Sequence, residues 1–164
     1  MTTKPSRPKR RLYTGLLAVQ SAAIVVSAFL LLIGVLGFVP GVTTKLDALQ
    51  LAGNLSEARL FDIFEVSVLL NLIHVAVGLV GLMMVRTYAR ARAYLLGGGL
   101  VFVGIWIWGL LVNFNSPANL LPVNNADNWL HMGIGVAMVV LALTLAGARV
   151  PTGAGGEILV QPAE

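Results

Sequence analysis

Four long apolar runs divide this chain, at about residues 12–39, 66–85, 94–112 and 129–148. Each approaches or exceeds the roughly 20 residues that carry an α-helix across a hydrocarbon core of about 30 Å. Segments of this length leave few folds open, because backbone N–H and C=O groups within lipid must be satisfied inside the segment. The predicted architecture is all-α: a single domain, residues 12–149, built as a four-transmembrane-helix bundle. Only 11% of the residues are charged and mean hydropathy is +0.87. Water-facing globules carry about 25% charged residues, so part of this surface is expected to meet lipid. There is no cysteine, which excludes disulfides, thiolate metal sites and cysteine nucleophiles.

The charges lie between the runs, and their signs are unevenly distributed. Residues 1–11 hold Lys4, Arg7, Lys9, Arg10 and Arg11. Arg86, Arg90 and Arg92 form a short basic connection, and Arg149 follows the last run. The two remaining loops, 40–65 and 113–128, carry only Lys45 and Arg59, so the bias is nine against two. The positive-inside rule then places both termini in the cytoplasm and those two loops outside, in a multi-pass protein of the inner (plasma) membrane. The first run is too long for a signal-peptide core of about 7–15 residues, so it reads as a retained span. The basic arm and the tail at 150–164 are expected to be flexible. The arm lacks aromatic interleaving, which argues against a nucleic-acid partner.

Smaller signals fill in the connections. Gly37-Phe-Val-Pro-Gly41 ends the first span, since Pro40 disfavours helix at Val39. Residues 42–59 suggest a short surface helix. Phe61, Ile63 and Phe64 suit the membrane interface, while Asp62 and Glu65 face water at the start of the second helix, where acids meet the helix dipole. Gly97, Gly98 and Gly99 fall in the first turns of the third span. Trp106 and Trp108 resemble an interfacial aromatic belt.

The second span carries a seam. Ser67, Asn71, His74, Gly78 and Gly81 recur at intervals of four, three, four and three, so they share one helix face. The fourth span repeats it: Asn71-x-x-His74-x-x-x-Gly78 is echoed by Asn128-x-x-His131-x-x-x-Gly135. Both histidines of the chain fall in this pattern. The two helices run in the same direction, which suggests parallel helix-pair repeats about an axis along the membrane normal. Gln20, Ala23, Ser27 and Gly34 form a small and polar seam on the first helix.

Polar side chains within a span are functional candidates by default. Here they are Asn71, His74, Asn128 and His131, with the nearby acids Asp127 and Glu65. Asp127 stands one turn before His131 and is placed to orient its ring. Two neutral imidazoles on facing helices can ligate haem iron or a metal ion. Alternatively, each His–Asn set makes interhelical hydrogen bonds while Gly78, Gly81 and Gly135 permit close packing. Depth favours the packing reading. With span edges at Val66 and Trp129, His74 lies about 12 Å deep and His131 about 3 Å at roughly 1.5 Å per residue.

Taken in order, Gly34-Val-Leu-Gly-Phe-Val-Pro-Gly41, Phe64-Glu-Val-Ser67, Asn71-Leu-Ile-His74 with Gly78 and Gly81, and Pro122-Val-Asn-Asn-Ala-Asp-Asn-Trp-Leu-His131 resemble a bacterial four-helix membrane family, domain of unknown function 4383. The resemblance spans most of residues 12–148. It implies a four-span inner-membrane protein and brings no activity, substrate or cofactor. The expected function is a non-enzymatic structural or interaction component of the cell envelope. It would contact membrane lipid and, in addition, a membrane-protein partner or a second copy, with no cofactor. A haem- or metal-binding redox protein using His74 and His131 is the alternative, and a small-solute or proton pathway a weaker one.

Overall fold

The computed structural model describes residues 11–12, 18–145 and 159–160. Four helices dominate: α1 (Ala18–Leu36), α2 (Val68–Met84), α3 (Tyr88–Leu111) and α4 (Asn125–Thr144). Three of them, α1, α3 and α4, are long and apolar enough to cross a membrane. The 17 residues of α2 rise about 26 Å, a little less than α1 and α4 and about 10 Å less than α3. Short strands accompany the helices. β1 (Arg11–Leu12) pairs antiparallel with β5 (Leu159–Val160), so these residues of the two expected flexible ends form a small ladder. The remainder of the arm and tail lies outside the described residues.

The helix boundaries correct the sequence reading in informative ways. α3 begins six residues before the expected start at Tyr94, so the arginines Arg90 and Arg92 belong to a helix rather than to a connection. Thr87 caps it, its hydroxyl accepting from the Arg90 N–H at 3.3 Å. The alternation of alanine and arginine that follows is strongly helix-forming. Gly97 to Gly99 therefore lie mid-helix. α4 likewise begins at Asn125, four residues ahead of Trp129, because Asn124 and Asp127 form a capping box. α2 starts at Val68, so Asp62 and Glu65 do not occupy its first turn; Ser67 is its N-cap, accepting from the Leu70 N–H at 3.1 Å.

The long α1–α2 connection is not a surface helix. It holds β2 (Thr43–Thr44), a single 3-10 turn (Leu46–Ala48), β3 (Arg59–Leu60) and β4 (Phe64–Glu65). The three strands form an antiparallel sheet in the order β2–β3–β4. A turn at Phe61 and Asp62 joins β3 to β4, with both residues at positive φ (55° and 60°) and Ile63 N–H donating to the Leu60 carbonyl at 3.1 Å. Left-handed φ at both residues is what the primed turns of hairpins use, and it matches the twist of the strands. The loop also completes α2. Val68 and Leu69 N–H groups donate to the Gln50 and Leu51 carbonyls at 3.0 and 2.9 Å. Together with the Ser67 cap, these bonds satisfy the orphan donors of the first turn. Asn54 and Gly53 reach the α3–α4 loop, with Gly53 N–H donating to the Leu120 carbonyl at 2.8 Å and Asn54 Nδ2 to the Asn115 carbonyl at 2.9 Å.

α1 packs chiefly against α2, and α3 against α4. The two hairpins are copies of one plan. Adding 72 to the buried α1 positions Val19, Ala23, Ser27 and Leu30 gives Ala91, Leu95, Gly99 and Phe102, all buried in α3. Adding 57 to the buried α2 positions Leu70, Asn71, His74, Gly78 and Gly81 gives Asp127, Asn128, His131, Gly135 and Met138, all buried in α4. The contacts move with them. A Cβ on Gly78 would meet the Ser27 carbonyl at 2.8 Å and Leu31 N at 2.9 Å; one on Gly135 would meet the Gly99 carbonyl at 3.0 Å and Val103 N at 2.8 Å. Even the clefts between the hairpins interchange. Val25, Val26, Gly133, Ile134 and Ala137 line one of about 430 Å³. Their counterparts Gly97, Gly98, Ala76, Val77 and Val80 line the other, of about 350 Å³.

Backbone sits where a side chain at Gly78 or Gly135 would go, so relief requires moving a helix. Gly78→Leu and Gly135→Leu are each expected to destabilise the fold by about 1–3 kcal/mol. Gly133 has nothing within 4 Å of a built Cβ, and Gly133→Ala should be neutral or stabilising by up to about 1 kcal/mol. Unfolding in mixed micelles followed by circular dichroism ranks the three; equal losses at Gly133 and Gly135 would refute the packing assignment.

Candidate functional site

The equal spacing of cap, asparagine and histidine in α2 and α4 sets the site. His74 stands six residues into α2 and His131 six residues into α4, so at about 1.5 Å per residue both lie about 9 Å below their helix starts. The depth mismatch expected from edges at Val66 and Trp129 therefore disappears. It came from placing the start of α4 four residues late and that of α2 two residues early. The imidazole centroids are 6.0 Å apart, with ring planes inclined by 23°. Phe102 of α3 completes a triangle, 6.1 Å from His74 and 5.7 Å from His131. Aromatic centroids at these separations attract one another.

The two asparagines occupy equivalent seats. A Cβ on Gly37 would fall on the Asn71 side chain, and a Cβ on Gly109 on the Asn128 side chain; 37 and 109 differ by the same 72. Each asparagine thus fills the notch left by a glycine of its own hairpin, Gly37 just past the end of α1 and Gly109 within α3. Gly34 adds to the first notch, its built Cβ lying 2.8 Å from the Asn71 carbonyl. Asn71 and Asn128 are 1% and 4% exposed, His74 and His131 6% and 1%. Four polar atoms at this level, Asn71 Nδ2, His74 Nε2, Asn128 Oδ1 and His131 Nδ1, are buried with no protein hydrogen-bond partner.

Asp127 does not orient His131. Its Oδ2 accepts from the Asn124 N–H at 2.9 Å and from the Glu65 N–H at 3.0 Å. The reason is geometric. Helical Cα–Cβ bonds lean toward the N-terminus, so a carboxylate in the first turn reaches back to the cap rather than forward to the next turn. Asp127 consequently ties α4 to β4. Asn124 adds a second tie, Nδ2 donating to the Ile63 carbonyl at 2.8 Å. Glu65 supplies only its backbone to this link; its side chain reaches the Arg59 guanidinium at 3.5 Å. Ser67 serves as a cap, Gly78 and Gly135 as close-packing points, and Gly81 faces Ser27 and Tyr94.

A space of about 20 Å³ lies at the loop-side end of this core, lined among others by Ile33, Leu70, Asn71, His74, Asp127 and His131. Leu70 and Asp127 are repeat-equivalent, as are His74 and His131, but Leu60, Phe64, Glu65 and Val66 of the α1–α2 connection also border the space, so it lies toward that connection. Among the described residues no group of three or more His, Cys, Asp or Glu could hold a metal ion. Sequence reasoning missed Phe102, Gly37 and Gly109. A helical spacing was present, since Gly99, Phe102 and Gly109 fall on one face, but nothing in it distinguishes a ring against histidine from ordinary packing.

Replacing Asp127 removes the acceptor for two N–H groups at once. Asp127→Ala is expected to destabilise the fold by about 1–3 kcal/mol, and Asp127→Asn by less, because one acceptor oxygen survives. Unfolding titrations compare them; an Asn variant as damaging as Ala would show that the cap bonds are not what Asp127 supplies.

No curated protein and no solved structure matches the chain. A family model does match, over residues 20–144, a stretch holding all but the first two residues of the four helices and both Asn–His seams. The chain belongs to that family, the domain of unknown function DUF4383.

Proposed function

We propose that the protein is a non-enzymatic integral component of a bacterial inner membrane, a structural or interaction element with both termini in the cytoplasm. One observation carries this reading: the space bordered by Asn71, His74 and His131 measures only about 20 Å³. That is far below the roughly 300–1,000 Å³ of small-molecule sites. The larger clefts, lined by residues such as Val25 and Ile134 or Val77 and Val80, are apolar and open to the outside of the bundle. They suit lipid chains and neighbouring helices rather than a polar substrate. The excess of Lys and Arg in the arm, the α2–α3 turn region and Arg149 supports the orientation.

The site fits haem poorly. Axial imidazoles must stand on opposite faces of a macrocycle. Here Phe102 lies within about 6 Å of both rings, and the adjoining space is water-sized. The solute-pathway reading gains nothing from helices that run unbroken through the core, since transporter sites typically form at discontinuous helices.

Two measurements test the proposal. Protein purified in mild detergent, from cells supplied with haem precursor and trace metals, should show no Soret band and no stoichiometric metal. A Soret band that vanishes in His74→Ala would overturn the non-redox reading. A reporter that is active only outside the cytoplasm, fused after Glu164, should stay inactive. Activity there would reverse the orientation.

A further inference from the structure

The basic end of the bundle has no acid to answer it. Arg86, Arg90 and Arg92 are exposed at the α2–α3 turn and in the first turns of α3. Among the described residues none of the three forms an ion pair. The acids Asp47, Glu57, Asp62, Glu65 and Asp127 all lie at the opposite end, in the α1–α2 connection or the first turn of α4. Glu157 and Glu164 lie outside the described residues. The turn itself is held from α1, where Gln20 Nε2 donates to the Val85 carbonyl at 2.8 Å.

Beside these arginines lies the cleft of about 350 Å³ between α2 and α3. Val77, Val80 and Met84 line one wall and Ala93, Gly97 and Gly98 the other, so it occupies the half of the bundle next to the turn. Arg90 precedes Ala93, Tyr94 and Gly97 by three, four and seven residues, which puts it on the cleft face of α3, nearer the helix start. Helical side chains lean toward the N-terminus, so Arg90 extends away from the apolar walls toward the headgroup level. Arg86 follows Met84 by two residues, while Arg92 falls on another face of α3.

We propose that this cleft is a docking site for an anionic phospholipid, with an acyl chain between α2 and α3 and the phosphate at Arg90 and Arg86. The inference rests on the membrane reading and orientation above, which put this end at the cytoplasmic surface. Charge selects the occupant. An apolar helix would fill the groove but leave the arginines' charge unanswered, and a zwitterionic lipid brings a cation of its own. An anionic lipid supplies both the chain and the net charge, and guanidinium groups suit phosphate through paired N–H donors. The sister cleft lacks the second element. It runs from Val25 and Phe29 to Trp129, toward the loops, and the α1 counterpart of Arg90, 72 residues earlier, is Ala18.

Native mass spectrometry tests the assignment. The full chain, in mild detergent, is offered equal amounts of dioleoyl phosphatidylglycerol and dioleoyl phosphatidylcholine, so that only the headgroups differ. The expected result is preferential retention of phosphatidylglycerol as the first lipid bound. Arg90→Gln should lower that preference about fivefold, the share of one basic residue at an anionic surface. Gly97→Leu changes no charge. A Cβ at Gly97 meets nothing within 4 Å, so the new side chain enters the cleft without moving a helix and should reduce retention of both lipids. Lys9→Gln with Arg10→Gln, in the basic arm, should leave the preference intact. Circular dichroism checks that each variant is folded. Equal retention of the two lipids by the wild type would overturn the proposal. So would an unchanged preference in Arg90→Gln, undiminished lipid in Gly97→Leu, an arm variant as damaging as Arg90→Gln, or a lipid-free dimer that Gly97→Leu separates. None of these outcomes alters the haem spectrum or the reporter result, so failure here is distinguishable from failure of the proposed function.

Discussion

Each half of this molecule depends on an asparagine resting against a glycine. Asn71 fills the notch at Gly37 and Asn128 the notch at Gly109. A larger residue at either glycine would push the helices of that hairpin apart at the level where the histidines meet. Close approach lower down then follows: Gly78 against the α1 backbone at Ser27 and Leu31, and Gly135 against α3 at Gly99 and Val103. In a lipid environment the hydrophobic effect does not drive helices together, so van der Waals fit between small residues carries much of the association. The polar side chains add direction to that fit, since an amide in a notch fixes the sliding register of one helix on the other.

The two hairpins are alike where they meet and unlike where they meet the loops. Leu70 and Asp127 occupy equivalent positions, yet one is apolar and the other a cap carboxylate. The difference follows from the connections. The α1–α2 loop folds into a small sheet and lends the Gln50 and Leu51 carbonyls to the first turn of α2. The shorter α3–α4 loop has no such sheet and is organised instead by Asn119, fully buried, which bonds the Phe114 and Val123 carbonyls. α4 meets its own end requirements through the Asn124–Asp127 box, and the spare capacity of Asp127 captures the Glu65 N–H of the other hairpin. A local capping device thus doubles as a link across the molecule.

What the sequence made legible was set by the strongest constraints. Apolar length and 3.6-residue periodicity revealed the four helices and the shared face of Asn71, His74 and Gly78, because a span leaves little latitude in either. The Asn–His echo pointed to the repeat. Boundaries suffered where two local signals competed. Asn124 and Asn125 read as loop by composition, although Asn124 with Asp127 is a capping box, and four misplaced residues moved His131 about 6 Å at 1.5 Å per residue. Arg90 and Arg92 read as a connection because charge outweighed helix propensity. The β2–β3–β4 sheet was hidden because two-residue strands are too short to show alternation. Its hairpin turn uses Phe61 and Asp62 at positive φ in place of the usual Asn-Gly. Phe102 and the glycine seats were illegible because they are defined by what lies on another helix.

The shortness of α2 bears on how such a chain is made. It carries Asn71 and His74 in a segment of only 17 residues, a poor candidate for entering a bilayer by itself. As synthesis proceeds, α1 is already present to receive the asparagine at Gly37. The other imidazole arrives 57 residues later, with the last helix. Until then His74 has no histidine beside it and α2 lacks half of its polar company. In the membrane setting proposed here, a chain cut short before α4 would leave the His74 ring without the His131 ring packed beside it.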